Sequence, residues 1–217
     1  MSSRYSLAEM KTSRRTNDPE GVRRRIVDAA YDTFVRHGYL ATGMLEIREK
    51  ASVSGGAMAY HFPAKRDLGL AVIQDRVAQA VAQTWIAPLE AHADAPSAID
   101  AIFATIITEL TGKRAVSGCP LNNMAMEISA HDAEMRRALD AIFAAWHGAL
   151  RAKLYADVLA GRARDLHPDS LATLVIAAYS GAMAMAKARQ DAIPLVDARV
   201  ELAALLAAKY RGAMPAG

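Results

Sequence analysis

What most constrains this chain is the way proline, glycine and capping residues cut it. Gly38, Pro63, Pro88, Pro96, Gly112, Gly118-Cys119-Pro120, Ala130-His131-Asp132, Gly161 and Ile193-Pro194 interrupt its 217 residues. Proline lacks the N–H that a helix interior needs, and glycine loses the most backbone freedom on ordering. Between the breaks, apolar residues recur every three or four positions, and alanine and leucine outnumber β-branched and aromatic residues. The pattern predicts an all-α chain of about nine helices, with no strand and no internal repeat.

The first breaks are the most informative. Asp18 or Asn17 can cap a helix with Pro19 and Glu20 in its first turn and Ile26, Ala29, Ala30, Phe34 and Val35 on one face. Gly38 ends it. Thr42 is expected to cap a second, short helix that contains Leu45 and Ile47. Ala51-Ser52-Val53-Ser54 reads as a tight turn, with Ser54 capping a third helix through Ala57, Met58 and His61 to Phe62. Pro63 stops that helix. A long fourth helix starts near Lys65, with Leu68, Leu70, Ala71, Ile73, Val77, Ala80 and Val81 turned inward. Two short helices after a longer one form a helix-turn-helix arrangement, whose last helix can enter a DNA major groove about 12 Å wide.

Charge is distributed accordingly. Residues 1–66 hold 12 Lys and Arg against 7 Asp and Glu, a net of +5, whereas residues 67–217 hold 14 against 16, a net of −2. A basic head on a mildly acidic body suits a polyanion at one end, although a solvated charged face would look the same. Three segments are expected: a flexible basic arm at 1–18, a helix-turn-helix DNA-binding domain at 19–66, and a ligand-binding and dimerisation domain at 67–217.

Several classes are disfavoured. A hydrophobic share of 53% excludes a disordered chain. The longest uncharged run, Ser170 to Ala186, contains Thr173, Tyr179, Ser180 and Gly181, and suits a buried helix better than a membrane span. Met1 to Asn17 has no apolar secretory core, so a cytoplasmic location is expected. One cysteine, Cys119, leaves no internal disulfide and no cysteine-based zinc site. Glu127 and His131 lie four apart but have no second such pair, so no metal is expected. No glycine-rich phosphate loop, His-Glu-x-x-His run or nucleophile elbow is present. The sequence predicts no enzyme and no cofactor; a helical thiol enzyme around Cys119 is the competing reading from that class.

Arg25-Ile-Val-Asp-Ala-Ala-Tyr-Asp-Thr-Phe-Val-Arg-His-Gly-Tyr39, Ala41-Thr42, Val53-Ser54-Gly55-Gly56-Ala57-Met58 and Tyr60-His61-Phe62-Pro63-Ala64-Lys65 together resemble the TetR family of regulators. The resemblance covers about residues 22–70 without a gap. It implies a three-helix DNA-binding head, a larger helical body that binds a small-molecule inducer, and a homodimer on a palindromic operator in double-stranded DNA, usually acting as a repressor. It also implies DNA contacts at Thr42, Gly43, Leu45, Ser54, Gly55, Gly56, Ala57, Ala59, Tyr60, His61 and Lys65. Thr42, Tyr60 and Lys65 offer phosphate donors, and Gly55 and Gly56 allow close backbone approach. Four positions depart from the family pattern: Ala59 replaces tyrosine, Gly55 a basic or polar residue, Ser52 the turn glycine, and Arg48 a small residue between the short helices.

In the body, Gly118-Cys-Pro-Leu-Asn-Asn-Met-Ala-Met-Glu-Ile-Ser129 resembles a segment of one subset of these regulators. Pro120 suits a first helical position, making Cys119 the cap, where the helix terminus and nearby Lys113 and Arg114 favour the thiolate. A thiol-based oxidant or electrophile sensor is therefore an alternative to a non-covalent inducer, and a buried small hydrophobe is the plain reading. Asn122, Asn123 and Glu127 suit either a ligand's polar groups or neighbouring backbone. Trp85, Met124, Met126, Trp146, His147, Tyr179 and Met183 suit a cavity lining or simple core. The last two helices, about Pro168 to Asp191 and Leu195 to Arg211, are alanine-dense; the family pairs them into the dimer's four-helix bundle.

Overall fold

The computed structural model describes residues 18–112 and 115–210. The expected basic arm therefore lies outside the described residues, apart from Asp18, as do Lys113 and Arg114. Among the described residues there are nine helices and no strand. They are α1 (Pro19–His37), α2 (Met44–Ala51), α3 (Gly55–His61), α4 (65–91), α5 (Ala95–Thr111), α6 (Pro120–Ile128), α7 (Ala133–Leu159), α8 (Pro168–Arg189) and α9 (Ile193–Tyr210).

Several boundaries follow capping chemistry. Asp18 accepts from the Gly21 N–H at 2.8 Å, with Pro19 in the first turn. Asp94 accepts from Ser97 at the start of α5, and Asp132 from Glu134 and Met135 at the start of α7. Gly38 ends α1 at φ +90°, a conformation glycine adopts without penalty. One expected cap is corrected. Gly43, not Thr42, caps α2; Thr42 is buried, and its hydroxyl donates to the Gly38 carbonyl at 2.7 Å.

The expected break at Pro88 is also corrected, because α4 continues to Ala91. Two π-helical turns, Ile73–Val77 and Ala82–Ile86, interrupt its α-helical geometry. The second ends two residues before Pro88 and opens the hydrogen-bond ladder where the proline ring would otherwise clash. The π turns have a further cause in the sequence. Ile73, Val77, Val81, Trp85 and Leu89 are all buried at a strict four-residue spacing. An α-helix of about 3.6 residues per turn would rotate that row off the core, and wider π turns bring it back.

The body is organised around α7. Met135, Leu139, Ile142, Trp146, Leu150 and Leu154 form one buried stripe along it at spacings of three and four. α8 packs along α7, and α9 packs on α8 and α5. By length and apolar composition α8 could cross a membrane. Instead it buries Ala172, Val175, Tyr179, Ala182, Met183 and Ala186 against the other helices. Its far side exposes Leu174, Gly181 and Met185, and α9 exposes Ile193, Val196 and Val200.

α4 belongs to both ends of the molecule. Leu68 and Val72 pack in the core shared with α1, while Arg23 bonds Asp75 at 2.8 Å and Arg76 bonds Asp28. Arg66 bonds Asp132 and Glu134, each at 2.6 Å. Gly69 permits the close approach of α4 to α7: a Cβ there would lie 2.3 Å from Met135 Cε and 2.8 Å from Tyr39.

Candidate DNA-binding surface and effector cavity

α3 is held from beneath by Met58 and by Phe62, which follows it; both are buried. Ser54 Oγ accepts from Ala57 N–H at 3.1 Å and fixes the start of the helix. The opposite side faces outward, with Gly55, Gly56, Ala59 and Tyr60 exposed and Ala57 and His61 half-buried. Tyr60 is 78% exposed, and its ring meets the His61 ring edge-on with centroids 5.0 Å apart. The outward side of α3 thus offers an exposed aromatic ring, an imidazole edge and two glycines without side chains. Gly43 and Leu45 at the start of α2 are exposed on the same head, Leu45 to 58%.

Ser52, where a turn glycine is usual, adopts the left-handed conformation at φ +53°. Arg48 reaches towards the start of α3. Its guanidinium lies 3.8 Å from where a Gly55 side chain would begin. It thereby puts a positive charge at the place where the sequence lacks one.

Two of the expected DNA contacts have prior commitments. The Thr42 hydroxyl donates to the Gly38 carbonyl, which ties this buried residue to the turn before α2. Lys65 Nζ donates to the Leu40 carbonyl at 3.2 Å and sits 4.6 Å from the Tyr39 ring centre. Partial desolvation lowers its pKa, while Glu127 raises it. Glu127 itself reaches from the body to the head: its Oε2 accepts from the Leu40 N–H at 2.9 Å. Leu40 is therefore gripped on both sides, by α4 through Lys65 and by α6 through Glu127. Sequence spacing gave no sign of this link or of the Arg66 ion pairs, because their partners lie 66 to 87 residues away.

The candidate ligand residues divide into groups. Trp85, Cys119, Trp146 and Tyr179 converge at the centre of the body. Their rings touch, with centroids 4.7 Å apart for Trp85 and Trp146 and 5.0 Å for Trp85 and Tyr179. They line a cavity of about 40 Å³ with Val81, Thr84 and Leu121. Tyr179, Thr84, Ala80 and Pro120 are shared with an adjoining cleft of about 780 Å³, which Met183 also lines.

Asn122, Asn123, Met126 and Glu127 lie on a different side of α6, around a depression of about 270 Å³. Met126 is 88% exposed, which corrects its expected place in an apolar lining. Asn123 donates to the Ser117 carbonyl at 2.8 Å, and Asn122 accepts from Ser180 at 3.3 Å, so both have local partners. His147 is also corrected. It lies where α7 crosses α8, with Nε2 3.0 Å from the Asp169 carbonyl and 3.2 Å from Thr173 Oγ1.

Cys119 does cap α6, but the expected low pKa is corrected. Burial pushes the thiol up and outweighs the pull of the nearby Asn122 and Leu121 N–H groups and of Tyr179. A 6% exposed thiol with a raised pKa is a poor nucleophile at neutral pH. Tyr179 is likewise pushed well above its ordinary value, first by burial and then by Cys119. Among the described residues no group of three or more His, Cys, Asp or Glu could hold a metal.

Residues 26–72 match the model of bacterial regulatory proteins of the tetR family, and residues 95–201 match the C-terminal domain of LmrA/YxaF-like transcriptional regulators. The HTH-type transcriptional repressor DhaR of Mycobacterium sp. (strain GP1) is 29% identical over 176 residues, covering 80% of this chain and 86% of that one. The regulator RutR of Escherichia coli (strain K12) is 34% identical over 80 residues, covering 37% of this chain and 35% of its own. Among solved structures, a TetR transcriptional regulator from Chloroflexus aurantiacus J-10-FL superposes with a TM-score of 0.79 at 26% identity, covering 88% of this chain and 96% of that one. Reduced Escherichia coli NemR superposes at 0.76, covering 83% and 94%, and at 20% identity shares the fold.

Proposed function

The chain belongs to the TetR family of transcriptional regulators, and from that premise we propose that it is a homodimeric repressor released from a palindromic operator by a small molecule. Its family comprises regulators, not enzymes. The observation that carries the reading is the outward side of α3, with Gly55, Gly56, Tyr60 and His61 presented around a buried Met58. In this reading residues 19–66 form the DNA-binding head and 67–217 the ligand-binding and dimerisation body, and the protein works in the cytoplasm where its DNA lies. Gly43, Leu45, Ser54, Ala57 and Ala59 complete the DNA surface, and Arg48 and Lys65 supply charge for phosphates.

The dimer is proposed to form through α8 and α9. Leu174, Gly181 and Met185 on the one, and Ile193, Val196 and Val200 on the other, are exposed apolar or small residues at helical spacing. Gly181 adds to this, since nothing lies within 4 Å of where its Cβ would be. Small residues let a second helix pair come close.

The effector signal has two routes to the head. Trp85 and Val77 of α4 border the central cavity, and the same helix begins at Lys65. α6 begins beside the cavity at Cys119 and ends near Glu127, which holds Leu40. A ligand that displaces either helix changes how the recognition helices are held, so DNA and effector must oppose each other by the same factor. Gel shifts of genomic fragments over a salt series test the core of the reading. One fragment should be retained selectively, with affinity falling steeply as salt rises. Uniform or absent retention would overturn it.

A further inference from the structure

Trp146 has no exposed surface, and its indole nitrogen is the only buried side-chain nitrogen or oxygen among the described residues that meets no hydrogen-bond partner. An orphan donor in a core costs free energy, and natural interiors rarely keep one. This one belongs to a ring that lines the central cavity. The cavity wall is otherwise almost wholly apolar: Val77, Val81, Trp85 and Leu121 surround it, with Thr84, Cys119 and Tyr179 as the polar exceptions. At about 40 Å³ it accepts a small group, while the cleft of about 780 Å³ that shares Thr84, Pro120 and Tyr179 has room for the rest of a molecule.

We infer that this cavity binds the uncharged head of a small molecule, a carbonyl-type acceptor that takes the Trp146 indole hydrogen, while the adjoining cleft holds its tail. The inference rests on the effector reading above and specifies its chemistry. A carboxylate does not suit the pocket, because no cationic side chain lines it and burying an unpaired charge there is costly. A plain hydrocarbon leaves the donor orphaned. An uncharged ketone, aldehyde or ester meets both conditions, with apolar flanks against Trp85 and Tyr179.

The test uses ketones and the alkenes that differ from them only by CH₂ in place of oxygen: acetophenone against α-methylstyrene, and 2-butanone against 2-methyl-1-butene. Binding is read by tryptophan fluorescence, since Trp85 and Trp146 are the chain's only tryptophans, and independently by the rise in Tm. In Trp146→Phe the ketone-to-alkene affinity ratio should fall about tenfold, the effect of one satisfied buried donor. In the wild-type protein one of the two indole N–H proton resonances should move downfield with ketone and not with alkene, a readout that survives should Trp146→Phe fail to fold. An unchanged ratio, an unmoved indole resonance, or no ketone binding at millimolar concentration would overturn the inference. Neither readout involves DNA. Ketone binding with unaltered DNA affinity would support the site and sink the inducer role, whereas DNA release by ketone with an unmoved indole would sink the site alone.

Discussion

Asp157 is the most heavily used side chain in the body, and replacing it by alanine should cost a large share of the stability. It is fully buried near the end of α7. Its Oδ2 accepts from the Ala95 N–H at 2.8 Å and from the Tyr210 hydroxyl at 2.6 Å, and its Oδ1 accepts from Arg162 at 2.7 and 2.9 Å. One carboxylate thus ties the start of α5 and the end of α9 to α7. In Asp157→Ala the Ala95 N–H is left buried without an acceptor, Tyr210 loses a charge-assisted bond, and Arg162, whose side chain is 44% exposed, recovers part of its loss from water. Together these give a destabilisation of about 3–5 kcal/mol. The solvent-facing Arg162 is counted at the low end that exposed pairs justify. Urea unfolding of both proteins at one protomer concentration measures it, since association adds to apparent stability. Arg162→Ala leaves a buried carboxylate with two partners, and the double variant should cost much less than the two single losses combined. A loss below about 1 kcal/mol for Asp157→Ala, or strict additivity, would refute the reasoning.

Further outcomes follow from other groups. Cys119, with its pKa raised by burial, should resist iodoacetamide at neutral pH until the protein is denatured; modification of the native protein at the rate of a free thiol would contradict its burial. Arg66 holds the Asp132 carboxyl down to about 2, so the folded protein gains stability above the unfolded carboxylate pKa of about 3.9 and loses it as pH falls through 2. Asp132→Asn keeps the helix cap and loses the ion pair, so its Tm should fall less between pH 4 and 2 than that of the wild type; parallel curves would contradict this. Lys65→Ala should weaken specific and random DNA alike and flatten the salt dependence, whereas His61→Ala should chiefly reduce the preference for one sequence. If neither change alters the affinity, α3 is not the recognition helix.

The helices were legible in the sequence because their signals are local. Asp18, Ser54 and Asp132 announce helix starts, Gly38 and Gly112 announce ends, and the alanine-rich α8 hides its buried row among near-equivalent small residues without losing its length. Pro88 misled because a proline reads as a break, although the row Ile73, Val77, Val81, Trp85 and Leu89 already required the π turns that accommodate it. Thr42 misled because a threonine before a helix reads as its cap, while the turn closed by Gly38 uses its hydroxyl first. The surface of α3 followed from a contiguous motif. The central cavity did not, since Trp85, Cys119, Trp146 and Tyr179 come from four separate segments and Met126 and His147, equally plausible by composition, face elsewhere. Burial, too, decided Cys119: the helix terminus was readable, but the desolvation that outweighs it depends on packing.

At the centre of the proposed function, two copies of this chain grip one DNA site through paired α3 helices. Hydroxyl-radical footprinting of the fragment retained in the gel shift tests it most directly. Two symmetric protected patches are expected, with centres about 34–36 Å, one helical turn, or a multiple of that apart, both lost together on dilution. A single protected patch, or protection spread evenly along the fragment, would contradict it.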